Sequence, residues 1–104
     1  MLISTTERIE GRTIVETLGL VRGSAIRTRH VGRDIVATLR NLVGGEVPEY
    51  TKMMAQSREQ AVQRMIEDAE KHGADAIVGV RFTTSMVMSG AAEMLAYGTA
   101  VKLE

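Results

Sequence analysis

Gly73-Ala74-Asp75-Ala76-Ile77-Val78-Gly79-Val80 is the stretch that decides the fold of this 104-residue chain. A long helical pattern stops at Gly73, which reaches positive φ without a Cβ clash and so turns the backbone out of a last helical turn. Ala76 to Val80 then reads as a strand packed on a core, because a short apolar run after a turn signal fits a buried strand. The stretch reads as scaffold.

Working back from Gly73, the residues Tyr50, Met53, Met54, Ser57, Ala61, Met65 and Ala69 recur at three- and four-residue intervals. Lys52, Arg58, Glu59, Glu67, Glu70 and Lys71 occupy the opposite side. That pattern predicts a long amphipathic helix from Pro48 to His72 with one buried face. Pro48 suits a first helical turn, and Glu46 and Glu49 suit its positive dipole end. Upstream, Val31, Ile35, Leu39 and Leu42 at helical spacing, followed by Gly44-Gly45, predict a first helix over Val31 to Val43. Thr13 to Val21 is rich in β-branched residues and reads as a strand that Gly11 starts and Gly23 ends. Leu2 to Thr5 fits a short edge strand.

Downstream, Ala76, Val78, Val80 and Phe82 alternate with Ile77, Gly79, Arg81 and Thr83. Ser89-Gly90 supplies turn residues. Leu95, Tyr97, Thr99, Val101 and Leu103 then alternate with Met94, Ala96, Gly98, Ala100 and Lys102. The order β-α-α-β-β predicts an α+β domain over residues 1–104, in which two helices cover one face of a small antiparallel or mixed sheet. Gly98 within a strand predicts a close approach of neighbouring atoms.

Composition narrows the function. The aromatic residues are Phe82, Tyr50 and Tyr97, so seven methionines and many aliphatic residues must fill the core. A core this light in aromatics predicts completion by a second copy, hence a homo-oligomer. Thirteen basic and thirteen acidic residues cancel, which removes the sequence-independent drive toward nucleic acid or anionic membranes. With no cysteine there is no disulfide framework, thiolate cage or cysteine nucleophile. The residues from Met1 to Glu7 lack signal-peptide character, and no apolar run approaches the roughly 20 residues of a membrane span. A cytoplasmic protein is expected.

The residues able to carry chemistry are few. His30 and Asp34 are four apart at a helix start and would face one ion across a turn, but two ligands make an incomplete metal site. Asp34 more simply answers the helix N-terminus, and His72 in the last turn of the long helix answers its negative end. Asp75 fits a turn carboxylate bonded to nearby amides. Met86 and Met88 share a side of a regular strand and would suit a soft metal, whereas Met53, Met54 and Met65 belong to the packed stripe. Arg22, Arg27, Arg29, Arg33 and Arg40 against Asp34 leave a net +4, without aromatic residues between them to stack on bases. Residues 46–72 hold six acids and four bases, a net −2 that would complement that patch at a subunit contact. Gly19-Leu20-Val21-Arg22-Gly23 lacks the spacing and the Lys-Ser/Thr ending of a phosphate loop. Ser4, His30 and Asp34 come without a nucleophile elbow. No catalytic residue, metal ligand or cofactor is assigned, and enzymatic activity is not expected.

Ser4-Thr5-Thr6, Glu10-Gly11, Ile14-Val15-Glu16, Gly19, Gly23, Arg33-Asp34, Gly44-Gly45, Tyr50, Gly73 to Val80 and Gly98-Thr99-Ala100-Val101 together resemble the YbjQ family of small bacterial and archaeal proteins. The match runs in order through almost the whole chain. The resemblance implies a β-α-β-β unit of the dodecin-subunit type assembled as a ring, a homopentamer, with short extra strands such as Leu2 to Thr5 joining the subunits. It also brings a heavy-metal-binding label. Two functions follow as expectations. One is a ring holding a small ligand or metal at its centre or between subunits, near polar strand residues such as Glu16, Arg81 and Glu93. The other is an interaction protein whose ring displays surface to a protein partner.

Overall fold

A helix ends where its last carbonyls find other donors, and Gly73 provides them here. At φ 72° it turns the chain so that Gly73 N–H donates to Glu70 O at 3.0 Å and Ala74 N–H to Ala69 O at 3.2 Å. This is the paired hydrogen-bond pattern of a left-handed helix stop, with Ala74 packed on the core beside it. Asp75 N–H then donates to Val101 O at 2.9 Å, and the chain enters a sheet.

The computed structural model describes residues 1–28, 48–88 and 91–104. They form strands β1 (Leu2–Ile3) and β2 (Ile14–Thr28), helix α1 (Pro48–Lys71), and strands β3 (Ala76–Met88) and β4 (Ala91–Leu103). The sheet order is β1-β3-β4-β2. β1 runs parallel to β3 of its own chain, and the other two pairings are antiparallel. The fold is therefore α+β with a mixed four-stranded sheet. The helix expected over Val31 to Val43 and the Ser89-Gly90 turn lie outside the described residues.

Helix α1 lays Ser57, Ala61, Met65 and Ala69 on the sheet, where all four are buried. They meet Val21 from β2, Ile77 and Val80 from β3, and Met94, Ala96 and Ala100 from β4. Full burial of a side chain such as Met65, Ile77 or Val21 stabilises by about 2 kcal/mol. On the far face of the sheet a smaller cluster of Ala76, Val78 and Val101 is covered by Ile9, Ile14 and Leu103.

Two strand readings need correction. β2 does not end at Gly23 but continues to Thr28. Gly23 marks close contact rather than a stop: a Cβ there would stand 2.3 Å from both Ala61 O and Met65 N, so α1 backbone lies directly on β2 backbone. In β3 the strict alternation fails at Gly79, which has φ 63° and interrupts the register between Val78 and Arg81. This β-bulge lets Ile77 and Val80 both face α1, whereas an unbroken period of two would separate them. Alternation in β4 holds as read, with its small residues Ala96, Gly98 and Ala100 buried beneath the helix.

Gly98 makes the close approach expected of it, since a Cβ would lie 2.7 Å from Ile77 Cγ2 and 3.0 Å from Val78 O. Gly98→Val should lower the unfolding free energy by about 3 kcal/mol through overpacking. Gly23→Ala should cost at least as much, because it meets backbone that cannot move aside. Gly11→Ala, strained at φ 79° but in open space, should cost only about 1 kcal/mol. Urea denaturation of the three variants checks this ranking.

Candidate functional site

Among the described residues, the sheet face away from α1 gathers exposed polar side chains from three strands. Register places Arg22 of β2 and Arg81 of β3 on either side of Tyr97 in β4. Adjacent strands lie about 4.8 Å apart, so the two arginine backbones are roughly 10 Å apart with the phenol between them. All three side chains are exposed. Arg81 is anchored along the β3 edge opposite Tyr97, its Nη1 donating to Thr5 O at 2.8 Å and to Val80 O at 2.9 Å. Among the described residues, no acidic side chain pairs with the Arg22 guanidinium.

Beside this row lies a depression of about 430 Å³. Its lining includes Glu7, Thr17, Arg81 and Thr99, two hydroxyls and one charge of each sign, next to the nearly buried Val78 and Val101. Leu20 and Ile26 stand on the same face, 66% and 55% exposed.

The residues singled out in the sequence are dispersed. His30, Asp34, Arg29, Arg33 and Arg40 lie outside the described residues. Arg22 and Arg27 do not share a patch, because they fall on opposite faces of β2. Arg27 turns under the helix, where its Nε donates to Ser57 Oγ at 2.8 Å and that hydroxyl donates to Met53 O at 3.0 Å. This pair satisfies Ser57, a polar side chain buried in the stripe of α1. His72 Nδ1–H donates to Asp68 O at 2.9 Å, which fits the helix-end role. Asp75 reaches further than a turn residue: its Oδ2 accepts from Leu103 N–H at 2.9 Å and fastens the end of β4. Met65 and Met94 are buried in the core, while Met86 is 78% exposed. The β3–β4 register shifts between Met86 and Met88, so the regular alternation assumed for that pair does not apply. Among the described residues, no three His, Asp or Glu side chains come together as a metal site. Among them too, no helix is long and apolar enough to cross a membrane.

The outer edge of β2 is closed in its middle by helix side chains. Asp68 Oδ2 accepts from Arg22 N–H at 3.2 Å, and Arg64 Nη1 donates to Ser24 O at 2.5 Å. The two side chains occupy backbone groups that would otherwise pair with another strand, a common protection of sheet edges.

Comparison with known proteins supplies the family. The model of the YbjQ family, whose description reads "Putative heavy-metal-binding", matches residues 1–104. The chain belongs to the YbjQ family. It is 61% identical over 103 residues to a UPF0145 protein of Methanosarcina acetivorans, covering 99% of this chain and 97% of the relative. A UPF0145 protein of Clostridioides difficile is 58% identical over 104 residues, covering 100% and 93%. One from Vibrio campbellii is 54% identical over 103 residues, covering 99% of each. Among solved structures, a protein of unknown function of the DUF74 family from Pediococcus pentosaceus has a similar fold. Its TM-score is 0.68 at 19% identity, covering 100% of this chain and 98% of that one.

Within this YbjQ fold the β2 edge guard makes a direct prediction. Replacing Arg64 and Asp68 together by alanine frees Arg22 N–H and Ser24 O, and aggregation should begin at a lower temperature than in the native protein. Light scattering during a thermal ramp measures it; an unchanged onset would mean that the two side chains do not protect the edge.

Proposed function

We propose that this YbjQ chain is a non-catalytic, cytoplasmic binding protein that assembles as a homo-oligomeric ring and holds a small ligand between subunits. The observation that carries the assembly is the apolar surface left outside the helix-covered core. Leu20 at 66%, Ile26 at 55%, Phe82 at 48% and Met86 at 78% are exposed. Register places Leu20 and Ile26 on the open face and Phe82 and Met86 on the helix-side face, beyond the cover of α1. Large side chains left in water on both faces mark surfaces that a partner covers, each gaining about 1–2 kcal/mol as its remaining exposed area is buried. A second copy is the simplest partner for a chain so poor in aromatic core. Five copies of a dodecin-type subunit is the arrangement that the family resemblance favours.

The Arg22–Tyr97–Arg81 row favours an organic ligand over a metal ion. Two guanidiniums facing one site repel a cation, and neither has a lone pair to offer it.

Native mass spectrometry of the untagged protein tests the assembly. The expected species is about 56 kDa, five times the 11.3 kDa chain. Leu20→Glu with Ile26→Glu should shift it toward smaller species while the circular dichroism spectrum stays native. A clean monomer at micromolar concentration would overturn the ring.

A further inference from the structure

We propose that the Arg22–Tyr97–Arg81 row and the depression beside it bind a phosphate monoester carried on a flat ring, the chemistry of a nucleoside monophosphate. The proposal rests on the ligand half of the function above and names the ligand's class. Register sets Arg22 and Arg81 on either side of Tyr97 with no acid in the same row, so the row itself offers two positive charges. A compact dianion lying over Tyr97 is attracted by both. Phosphate oxygens also match the planar donor fork of arginine better than a single point charge does. Arg81 is already oriented by Thr5 O and Val80 O, so little of its freedom is lost on binding.

The rest of the ligand follows from the surroundings. Tyr97 offers a ring face to an aromatic group, and stacking of this kind tolerates many bases. The depression of about 430 Å³ shares Arg81 with the row, and it has room for a sugar and a base beside Thr17, Arg81 and Thr99. Thr17 and Thr99 hydroxyls can bond sugar hydroxyls there. The carboxylate of Glu7, which also lines the depression, can accept from a hydroxyl or an amino group but repels further phosphates. Monophosphates are therefore preferred over triphosphates. A long nucleic acid is disfavoured, since the chain is neutral overall and Glu93 lies on the same face four residue pairs beyond the row.

Isothermal titration of the full chain with adenosine monophosphate, adenosine, inorganic phosphate and adenosine triphosphate tests the proposal. Adenosine monophosphate should bind with Kd below about 1 mM, and each of the other three at least about tenfold more weakly. Arg22→Gln should weaken adenosine monophosphate by about tenfold or more without moving the melting temperature, since that guanidinium has no acidic partner among the described residues. Tyr97→Leu should weaken adenosine monophosphate but leave inorganic phosphate unchanged. Equal affinity for adenosine monophosphate in native and Arg22→Gln proteins, or no binding of it at 10-fold that concentration (about 10 mM), overturns the proposal. Native mass spectrometry of the same samples separates it from the assembly reading. A ring that ignores adenosine monophosphate overturns this site alone, and a monomer that binds it through Arg22 supports the site without the ring.

Discussion

The whole arrangement depends on α1 lying backbone to backbone on β2 at Gly23. No side chain separates them there, since a Cβ would stand 2.3 Å from Ala61 O. Such closeness demands small partners, and Ala61, Ala69, Ala96, Gly98 and Ala100 provide them, all buried. Ile77 and the flexible Met65 and Met94 then fill what the small residues leave. This explains how a chain with three aromatic residues builds a dense core at all. It also brings Arg64 and Asp68 within reach of the β2 edge, so one contact organises both the core and the protection of the sheet.

That economy has a counterpart on the open face. A helix pressed so tightly on β2 and β4 gives little cover to β3, and none to the far side of the sheet. Beyond the cluster that Ile9, Ile14 and Leu103 cover, side chains of that face such as Leu20, Arg22 and Ile26 stand exposed. Charged and aromatic groups coexist on that face with Leu20 and Ile26, a mixture typical of surfaces that are covered part of the time rather than of a permanent interior.

Much of the fold was legible locally, because helix stops and amphipathic stripes are written over a few consecutive residues. Gly73 announced its own turn, the stripe from Met53 to Ala69 its buried face, and β4 its alternation. Gly23 was misread because a strand end and a close helix contact call for the same residue, and only the position of α1 tells them apart. The apparent basic run from Arg22 onward misled for a related reason, since neighbours in a strand point to opposite faces and Arg27 lies under the helix. The Arg22–Tyr97–Arg81 row could not be read at all. Its members come from three strands, and their meeting depends on sheet register, which no single segment records.

Register has its own consequence at Gly79. A strand's side chains keep a phase, and one inserted residue reverses that phase for everything that follows. Counted from Ile77 without the bulge, position 81 would fall beneath the helix and position 80 would face outward. With Gly79 inserted, valine turns inward and arginine turns out beside Tyr97. The phase is therefore held by the backbone of Gly79 at φ 63°: the same sequence drawn straight through this point would present valine to the open face and turn arginine toward the helix.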